Sequence, residues 1–171
     1  KGGIATVIAS IMHSAELRGR FELRRIDSYV TAGAAKKAAV FIAALLRFAV
    51  MLLLFRPHVV HVHMSYKGSF YRKSVFILLA GWFRVPVCAH MHGSSFQPFY
   101  ASLRPPLRRY CGGVLNRCAR LIALSESWNE YFSSIVPPEK VVTLYNAVAS
   151  GDSAAAAPES PDSPPPLARE R

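Results

Sequence analysis

The amino-acid sequence predicts an α/β fold built on a doubly wound, mostly parallel sheet. Short bursts of β-branched residues alternate along the chain with longer apolar segments of helical length, and the connections between them are short. The length of 171 residues suits one domain of ordinary size, and 51% hydrophobic residues provide ample material for a buried core. Nearly continuous apolar strands are typical of parallel sheets that helices cover on both faces.

The first third of the chain contains two predicted helices and one predicted strand. A helix is expected over Ile4–His13, directly after the glycine pair Gly2-Gly3. The segment Phe21–Tyr29 alternates apolar and polar residues as a short strand does. A long apolar helix is predicted over Ala35–Phe55, and it ends before Arg56-Pro57 because proline disfavours helical geometry in the residue before it.

Two strand–helix units and a further strand occupy the middle of the chain. The β-branched run Val59–His63 has the length and composition of a strand, and a helix is predicted over Ser69–Phe83. A second buried strand is predicted over Pro86–His90. The next helix is expected over Pro106–Ala119, with proline near its start where proline is tolerated, and the third strand over Leu121–Leu124.

The last predicted elements are a helix and a strand. A capping-box pattern at Ser127–Glu130 is expected to open the helix, and Val141–Leu144 is expected to close the sheet. We therefore assign residues 1–149 to one domain. Residues 150–171 are rich in Pro, Ala and Ser without apolar periodicity, which predicts a disordered tail or linker.

The apolar run 38–55 raises the question of a membrane span. Its 18 residues are near the lower length limit for a span, and Arg47 in its middle costs about 2.5–3.5 kcal/mol on insertion. Lys36 and Arg47 are eleven residues apart, which places both on one narrow helical face. We expect a core helix with one solvent-exposed face and no transmembrane segment. Contact of this helix with a membrane surface is an open alternative.

The distribution of charge points to an anionic partner. The net charge is +11, and no acidic residue lies between Asp27 and Glu126. The same interval contains 13 Lys or Arg residues and five of the six histidines. It therefore has no carboxylate pair for acid/base chemistry, and it creates a positive potential suited to phosphate, nucleic acid or an anionic membrane.

Four features follow the predicted strands, at the sheet edge where open α/β sheets bind ligands. The backbone N–H groups of Gly2-Gly3 suit a phosphate or carboxylate, although a tight turn is the plainer explanation. Two histidine pairs, His61/His63 and His90/His92, lie at the carboxyl ends of predicted strands. Because side chains alternate along a strand, both members of each pair point to one face. Ser125 follows the third strand, where helix capping is the plainer role.

For His61 and His63 a structural role in the fold is the favoured interpretation, and the two pairs together leave two chemical interpretations open. If their strands are neighbours, the pairs suggest a metal site made of histidine alone. Because no Asp or Glu lies between residues 28 and 125, a hydrolytic metal centre is disfavoured and no metal is expected. The step His92-Gly93 is the sharper feature, since glycine lets backbone approach a ligand and His92 offers a hydrogen bond to a sugar hydroxyl or phosphate. Basic side chains expected near the crevice are Lys67, Arg72, Lys73, Arg104, Arg108 and Arg109.

Five segments follow one another in an order that resembles a known family. They are the glycine pair before the first helix, the strand RPHVVHVH, the strand and turn VPVCAHMHG, the strand RLIALSES, and the closing PPEKVVTLYNAV. Together they resemble the N-terminal, acceptor-side domain of GT-B retaining glycosyltransferases of the family 4 type. The resemblance covers about residues 1–149 and implies a Rossmann-like half of a GT-B fold.

The resemblance implies transfer of a sugar from a nucleotide-sugar donor to a hydroxyl acceptor with retained anomeric configuration. It implies a polysaccharide or lipid-linked precursor as acceptor, and neither a cofactor nor a metal. By position, His92 matches the catalytic histidine that faces the donor sugar. The positions expected to bind donor or acceptor are Gly2, Gly3, Gly93, Ser94 and Ser125.

The resemblance also implies that parts of the enzyme are missing. In the family the first strand precedes the position of Gly2, and a second domain with a Glu-x7-Glu pair follows residue 149; this sequence contains no pair with that spacing. We therefore expect a truncated N-terminal part of a hexosyltransferase-type enzyme, inactive alone. A non-catalytic basic binding module and a remnant are the alternatives, and nucleic acid is not the expected partner. The three cysteines suit a reducing compartment, so the expected location is the cytoplasm, peripheral to the inner membrane face.

Overall fold

The computed structural model of the protein describes residues 3–93 and 95–145. Its centre is a sheet of four parallel strands, β1 (Val60–Met64), β2 (Val87–Met91), β3 (Arg120–Ala123) and β4 (Val141–Thr143). The strands lie side by side in their sequence order. The predicted α/β class, its parallel sheet and the strands predicted from Val59 onward are confirmed. The tail 150–171, Gly2 and Ser94 lie outside the described residues.

Helices precede and connect the strands in the described part of the chain. They are α1 (Gly3–His13), α2 (Ala15–Arg20), α3 (Ala34–Leu54), α4 (Gly68–Trp82), α5 (Phe96–Ala101), α6 (Pro105–Arg117) and α7 (Glu126–Ser133), with a 3₁₀ turn at Pro138–Lys140. The predicted first helix, the long apolar helix, and the helices after β1 and β2 are confirmed as α1, α3, α4 and α6. The sequence pattern does not predict α2 and α5, because six residues are too few to show a helical period.

The start of α7 confirms helix capping as the role of Ser125, whereas the capping box predicted at Ser127–Glu130 is wrong. Ser125 caps the helix, since its Oγ accepts a hydrogen bond from the backbone N–H of Trp128 at 3.3 Å. Ser127 lies in the first turn instead, with its Oγ 3.0 Å from that of Ser125. The helix therefore begins at Glu126, and a serine in extended backbone precedes it as capping geometry requires.

The strand predicted over Phe21–Tyr29 is wrong. The segment forms no strand, and side-chain contacts with the helices hold it instead of a sheet partner. The guanidinium of Arg24 lies 3.5 Å from the ring centroid of Phe55, just beyond α3. The guanidinium of Arg72, in α4, lies 4.5 Å from the ring centroid of Tyr29. The alternation of apolar and polar residues therefore reflects a segment lying across helices.

The two faces of the sheet are covered unequally. Val62, Ala89 and Leu121 occupy one face at paired positions, and all three are buried. Right-handed crossovers between strands in sequential order place the connecting helices on one and the same face. On the opposite face His61 is exposed and Val142 is 45% exposed. The described residues therefore do not form the second covering layer that the sequence pattern predicts.

The long apolar helix α3 is buried along only one stripe. Its buried residues are Ala44, Phe48 and Leu52, four residues apart, and the Phe48 ring lies 5.2 Å from that of Phe76 in α4. Most of the remaining apolar surface is exposed, so α3 is less of a core helix than expected. The helix has 21 residues and contains an 18-residue window with a mean hydropathy of 2.2, so it is the one helix among the described residues that is long and apolar enough to cross a membrane.

Candidate functional site

Four imidazoles from two neighbouring strands meet on the open side of the sheet. His63 pairs in register with His90, and His61 and His92 extend the group on either side; we call these four residues the histidine cluster. Ring centroids lie 4.4 Å apart within the first pair and 4.2 Å apart within the second. Between the strands, His63 and His90 are separated by 5.0 Å. The predicted common orientation within each pair is confirmed, because alternate strand residues point to one face.

The members of the histidine cluster differ in burial and in hydrogen bonding. His61 is exposed, whereas His90 and His92 are 2% and 7% exposed. Nδ1 of His63 and Nε2 of His92 lie 2.9 Å apart, so one of these nitrogens donates a hydrogen bond to the other. In the described part of the chain, neither ring nitrogen of His90 has a hydrogen-bond partner. The cluster therefore contains one oriented pair and one buried imidazole with unsatisfied polar atoms.

Burial and mutual repulsion keep the histidine cluster uncharged. Burial first, and then the positive charge of the neighbouring imidazoles and of Lys73, lowers the pKa of His63 to about 2. Burial first, and then the neighbouring histidines, lowers the pKa of His90 to about 3 and that of His92 to about 4. Because no carboxylate lies in the sequence from residue 28 to 125, nothing acidic from these strands favours the imidazolium form. At neutral pH these rings act as neutral hydrogen-bonding groups.

Gly93 brings the turn after β2 against the turn after β1. Its φ is +125°, a conformation that glycine adopts readily and other residues rarely do. A Cβ at this position would lie 2.6 Å from Oγ of Ser65. Ser65 is itself fixed, since its backbone N–H donates a hydrogen bond to Oγ of Ser69 at the start of α4. The contact of Ser65 with this turn could not be inferred from the sequence, in which Ser65 is only a serine that directly follows a strand.

Two other predicted positions have a plainer structural role or an open environment. Ser125 follows β3 and caps α7 with its hydroxyl group, as described above. Gly3 begins α1, a helix with no buried residue, and a Cβ on Gly3 would meet no atom within 4 Å. Among the described residues, Gly3 therefore shows no close backbone approach of the kind found at Gly93. Gly2 and Ser94 lie outside the described residues.

The basic residues predicted near the crevice separate into four groups. Lys67 lies exposed in the turn between β1 and α4 with an unusual φ of 50°. Arg72 packs on Tyr29, and burial lowers the pKa of Lys73 to about 8. Arg108 and Arg109 line a surface depression of about 310 Å³ whose lining contains none of the histidines. Arg104 precedes α6 and is exposed. Lys67 is the basic residue that the described geometry brings into a strand-end turn.

Comparison with known proteins adds a family assignment to this geometry. Residues 3–147 match the family model described as a glycosyl transferase 4-like domain. The matched segment includes the whole sheet, the histidine cluster and Gly93. A search of curated proteins gave no match.

Proposed function

The chain belongs to the glycosyl transferase 4-like family, and from this premise we propose that it forms the acceptor-side half of a retaining glycosyltransferase. The enzyme would move a sugar, of the hexosyl type, from a nucleotide-sugar to a hydroxyl group of a polysaccharide or lipid-linked precursor. Membership establishes glycosyl transfer, with a sugar donor and an acceptor. It does not favour a non-catalytic basic module.

The observation that carries the proposal is the position of His92. It follows β2 directly, and its backbone N–H donates a hydrogen bond to the carbonyl of Met64 at 2.7 Å. The contact with His63 orients its ring through Nε2 and leaves Nδ1 for a sugar hydroxyl group. Because the pKa of His92 is lowered to about 4, the ring is neutral when it meets the donor. In the reaction, His92 orients the donor sugar and stabilises charge that develops as the glycosidic bond breaks.

The charge distribution supports departure of a nucleoside diphosphate. Breaking the bond to the donor leaves negative charge on the diphosphate, which cations and N–H groups stabilise. The interval from residue 28 to 125 has 13 basic and no acidic residues, so its potential favours this anion. We assign this role to Lys67 in the turn before α4, beside Gly2, Gly3, Gly93, Ser94 and Ser125 as donor- or acceptor-binding positions.

We also propose that α3 touches the inner face of the cytoplasmic membrane, where lipid-linked acceptors lie. Its exposed apolar residues Ile42, Leu46, Val50 and Leu53 recur at spacings of three and four, which places them along one side of the helix. Exposed Lys36 and Arg47 lie on the same helix and attract anionic lipid head groups. Sedimentation with anionic vesicles tests this contact. Vesicle binding should fall in the double variant Leu46→Glu/Leu53→Glu. It should not fall in the control variant Leu107→Glu, which changes an exposed leucine of α6.

The catalytic proposal is tested on the full-length protein that the gene encodes, including any sequence that flanks residues 1–171. Transfer of labelled sugar from a panel of nucleotide-sugars to lipid and polysaccharide fractions is measured, and the anomeric configuration of the product is read by NMR. His92→Ala should lower kcat by about 10²–10³-fold, as loss of a donor to a developing charge does. His58→Ala, which removes an exposed histidine outside the cluster, should leave kcat unchanged. Failure to bind any nucleotide-sugar, or full activity of a folded His92→Ala variant, would refute the proposal.

A further inference from the structure

We propose that His61, His63 and His90 form a binding site for a divalent transition metal ion such as Zn²⁺. One ring nitrogen from each of the three residues lies within 4.8 Å of the corresponding nitrogens of the other two. The three rings lie on the open side of the sheet, and exposed His61 provides the route by which an ion enters. This inference does not depend on glycosyl transfer and concerns a site that the family assignment does not describe.

The spacing of the nitrogens is close to what a metal site needs. Zinc binds imidazole nitrogen at about 2.0–2.1 Å, which places the nitrogens of a tetrahedral site about 3.4 Å apart. Because all three nitrogens lie within 4.8 Å of one another, their widest separation has to close by at most about 1.4 Å when an ion binds. A side-chain rotation of the exposed His61 supplies this movement, while His63 and His90 are held in register by adjacent strands. Three protein ligands leave the fourth position to water.

The condition of His90 is an independent indication of a ligand. The residue is 2% exposed, and neither of its ring nitrogens has a hydrogen-bond partner among the residues that the structure describes. Buried polar groups are nearly always paired, so an unpaired imidazole in the interior requires an explanation. A metal ion would accept the lone pair of one His90 nitrogen. Ring nitrogens of His61 and His63 lie close enough to bind the same ion.

The chemistry of the three ligands favours a borderline transition metal over magnesium or calcium. Imidazole suits Zn²⁺, Ni²⁺ and Cu²⁺, whereas magnesium and calcium require oxygen ligands, and no carboxylate comes from these strands. His92 hydrogen-bonds Nδ1 of His63, which leaves Nε2 for the ion and fixes the ring orientation.

The test is a titration of the whole chain with Zn²⁺ in competition with a chromophoric chelator. We expect one ion per chain, and no competition by Mg²⁺ in excess. His61→Ala removes an exposed ligand without disturbing the core, and it should weaken zinc binding at least about tenfold. The matched control is His58→Ala, an exposed histidine three residues earlier, which should change the affinity less than twofold.

Two outcomes would overturn the proposal. The first is unchanged Zn²⁺ affinity in His61→Ala. The second is the absence of stoichiometric binding in a wild-type chain shown by circular dichroism to be folded. Cobalt provides a further readout, since Co²⁺ in a tetrahedral site absorbs strongly in the visible range; the wild-type chain should show this band, and its absence would also count against the site. Buried His90→Gln tests the second ligand, with thermal unfolding as a check that the variant folds.

Discussion

Replacement of Gly93 by alanine should destabilise the protein through two separable effects. The first is backbone strain, because a φ of +125° costs a residue with a Cβ about 1–3 kcal/mol. The second is overlap, because the new Cβ would lie 2.6 Å from Oγ of Ser65. Overpacking of this kind costs typically about 1–3 kcal/mol. The sum predicts a loss of about 2–6 kcal/mol in the free energy of unfolding.

A double-mutant cycle separates the two effects. Ser65→Ala removes the Oγ atom and leaves its Cβ at 3.7 Å from the position of the new methyl group, an ordinary contact. In the Ser65→Ala background, Gly93→Ala should therefore retain only the strain, and the coupling energy should equal the overlap of about 1–3 kcal/mol. Urea unfolding followed by circular dichroism measures all four proteins. For a chain of this size each kcal/mol also lowers Tm by about 2–4 °C.

The matched control for this cycle is Gly113→Ala in the interior of α6. A Cβ there meets its nearest atom at 3.5 Å, so alanine should stabilise the protein by about 0.5–1 kcal/mol through helix propensity. The reasoning fails if Gly93→Ala unfolds at the wild-type urea concentration. It also fails if the cost of Gly93→Ala is the same with and without the Ser65 hydroxyl group, because the proximity of the two turns would then have no energetic effect.

Three further predictions concern the rest of the fold. Phe48→Ala should destabilise the protein by about 3–5 kcal/mol in thermal or urea unfolding, because it empties the contact between α3 and α4; a loss below about 1 kcal/mol would show that α3 is not docked through this stripe. Ser125→Ala should cost about 1 kcal/mol through loss of the α7 cap, and Ser127→Ala clearly less; equal losses would contradict the capping assignment. Lys73 has a folded-state pKa of about 8, below its usual 10.5, so the unfolded chain binds more protons between these values and stability should rise with pH there. The difference in unfolding free energy between wild type and Lys73→Met should therefore shift in favour of wild type from pH 8 to 10.5, by at most about 1.4 kcal/mol per pH unit; a flat difference would contradict the lowered pKa.

Local patterns in the sequence predict most of the secondary structure but not its pairing. The runs around His61 and His90 indicate strands because β-branched and apolar residues concentrate there, and alternation predicts which side chains share a face. The segment Phe21–Tyr29 shows a similar alternation without forming a strand. Whether such a segment forms a strand depends on a neighbouring strand with which it can pair. A local sequence pattern contains no information about that neighbour.

The sequence was sufficient to identify residues of the candidate site but not to predict the contacts that they make. His92 and Gly93 stand out because a histidine and a glycine directly follow a strand. The contact between Gly93 and Ser65 joins residues 28 positions apart and depends on the register of β1 and β2. The unpaired nitrogens of His90 depend likewise on what surrounds a buried ring. The unequal covering of the two sheet faces follows from the strand order, which is a property of the whole fold.

The sequential order of the strands has a consequence for how the protein forms during synthesis. Each strand after β1 pairs with the strand translated just before it, and two of the intervening helices pack on such pairs, α4 on β1 and β2 and α7 on β3 and β4. As the chain leaves the ribosome, the four described strands can therefore be added in one direction, one strand at a time. Protection from protease should appear on nascent chains in the order β1–β2, then β3, then β4. Until the segment that follows it has emerged, each newly added strand is the exposed edge to which chaperones would bind.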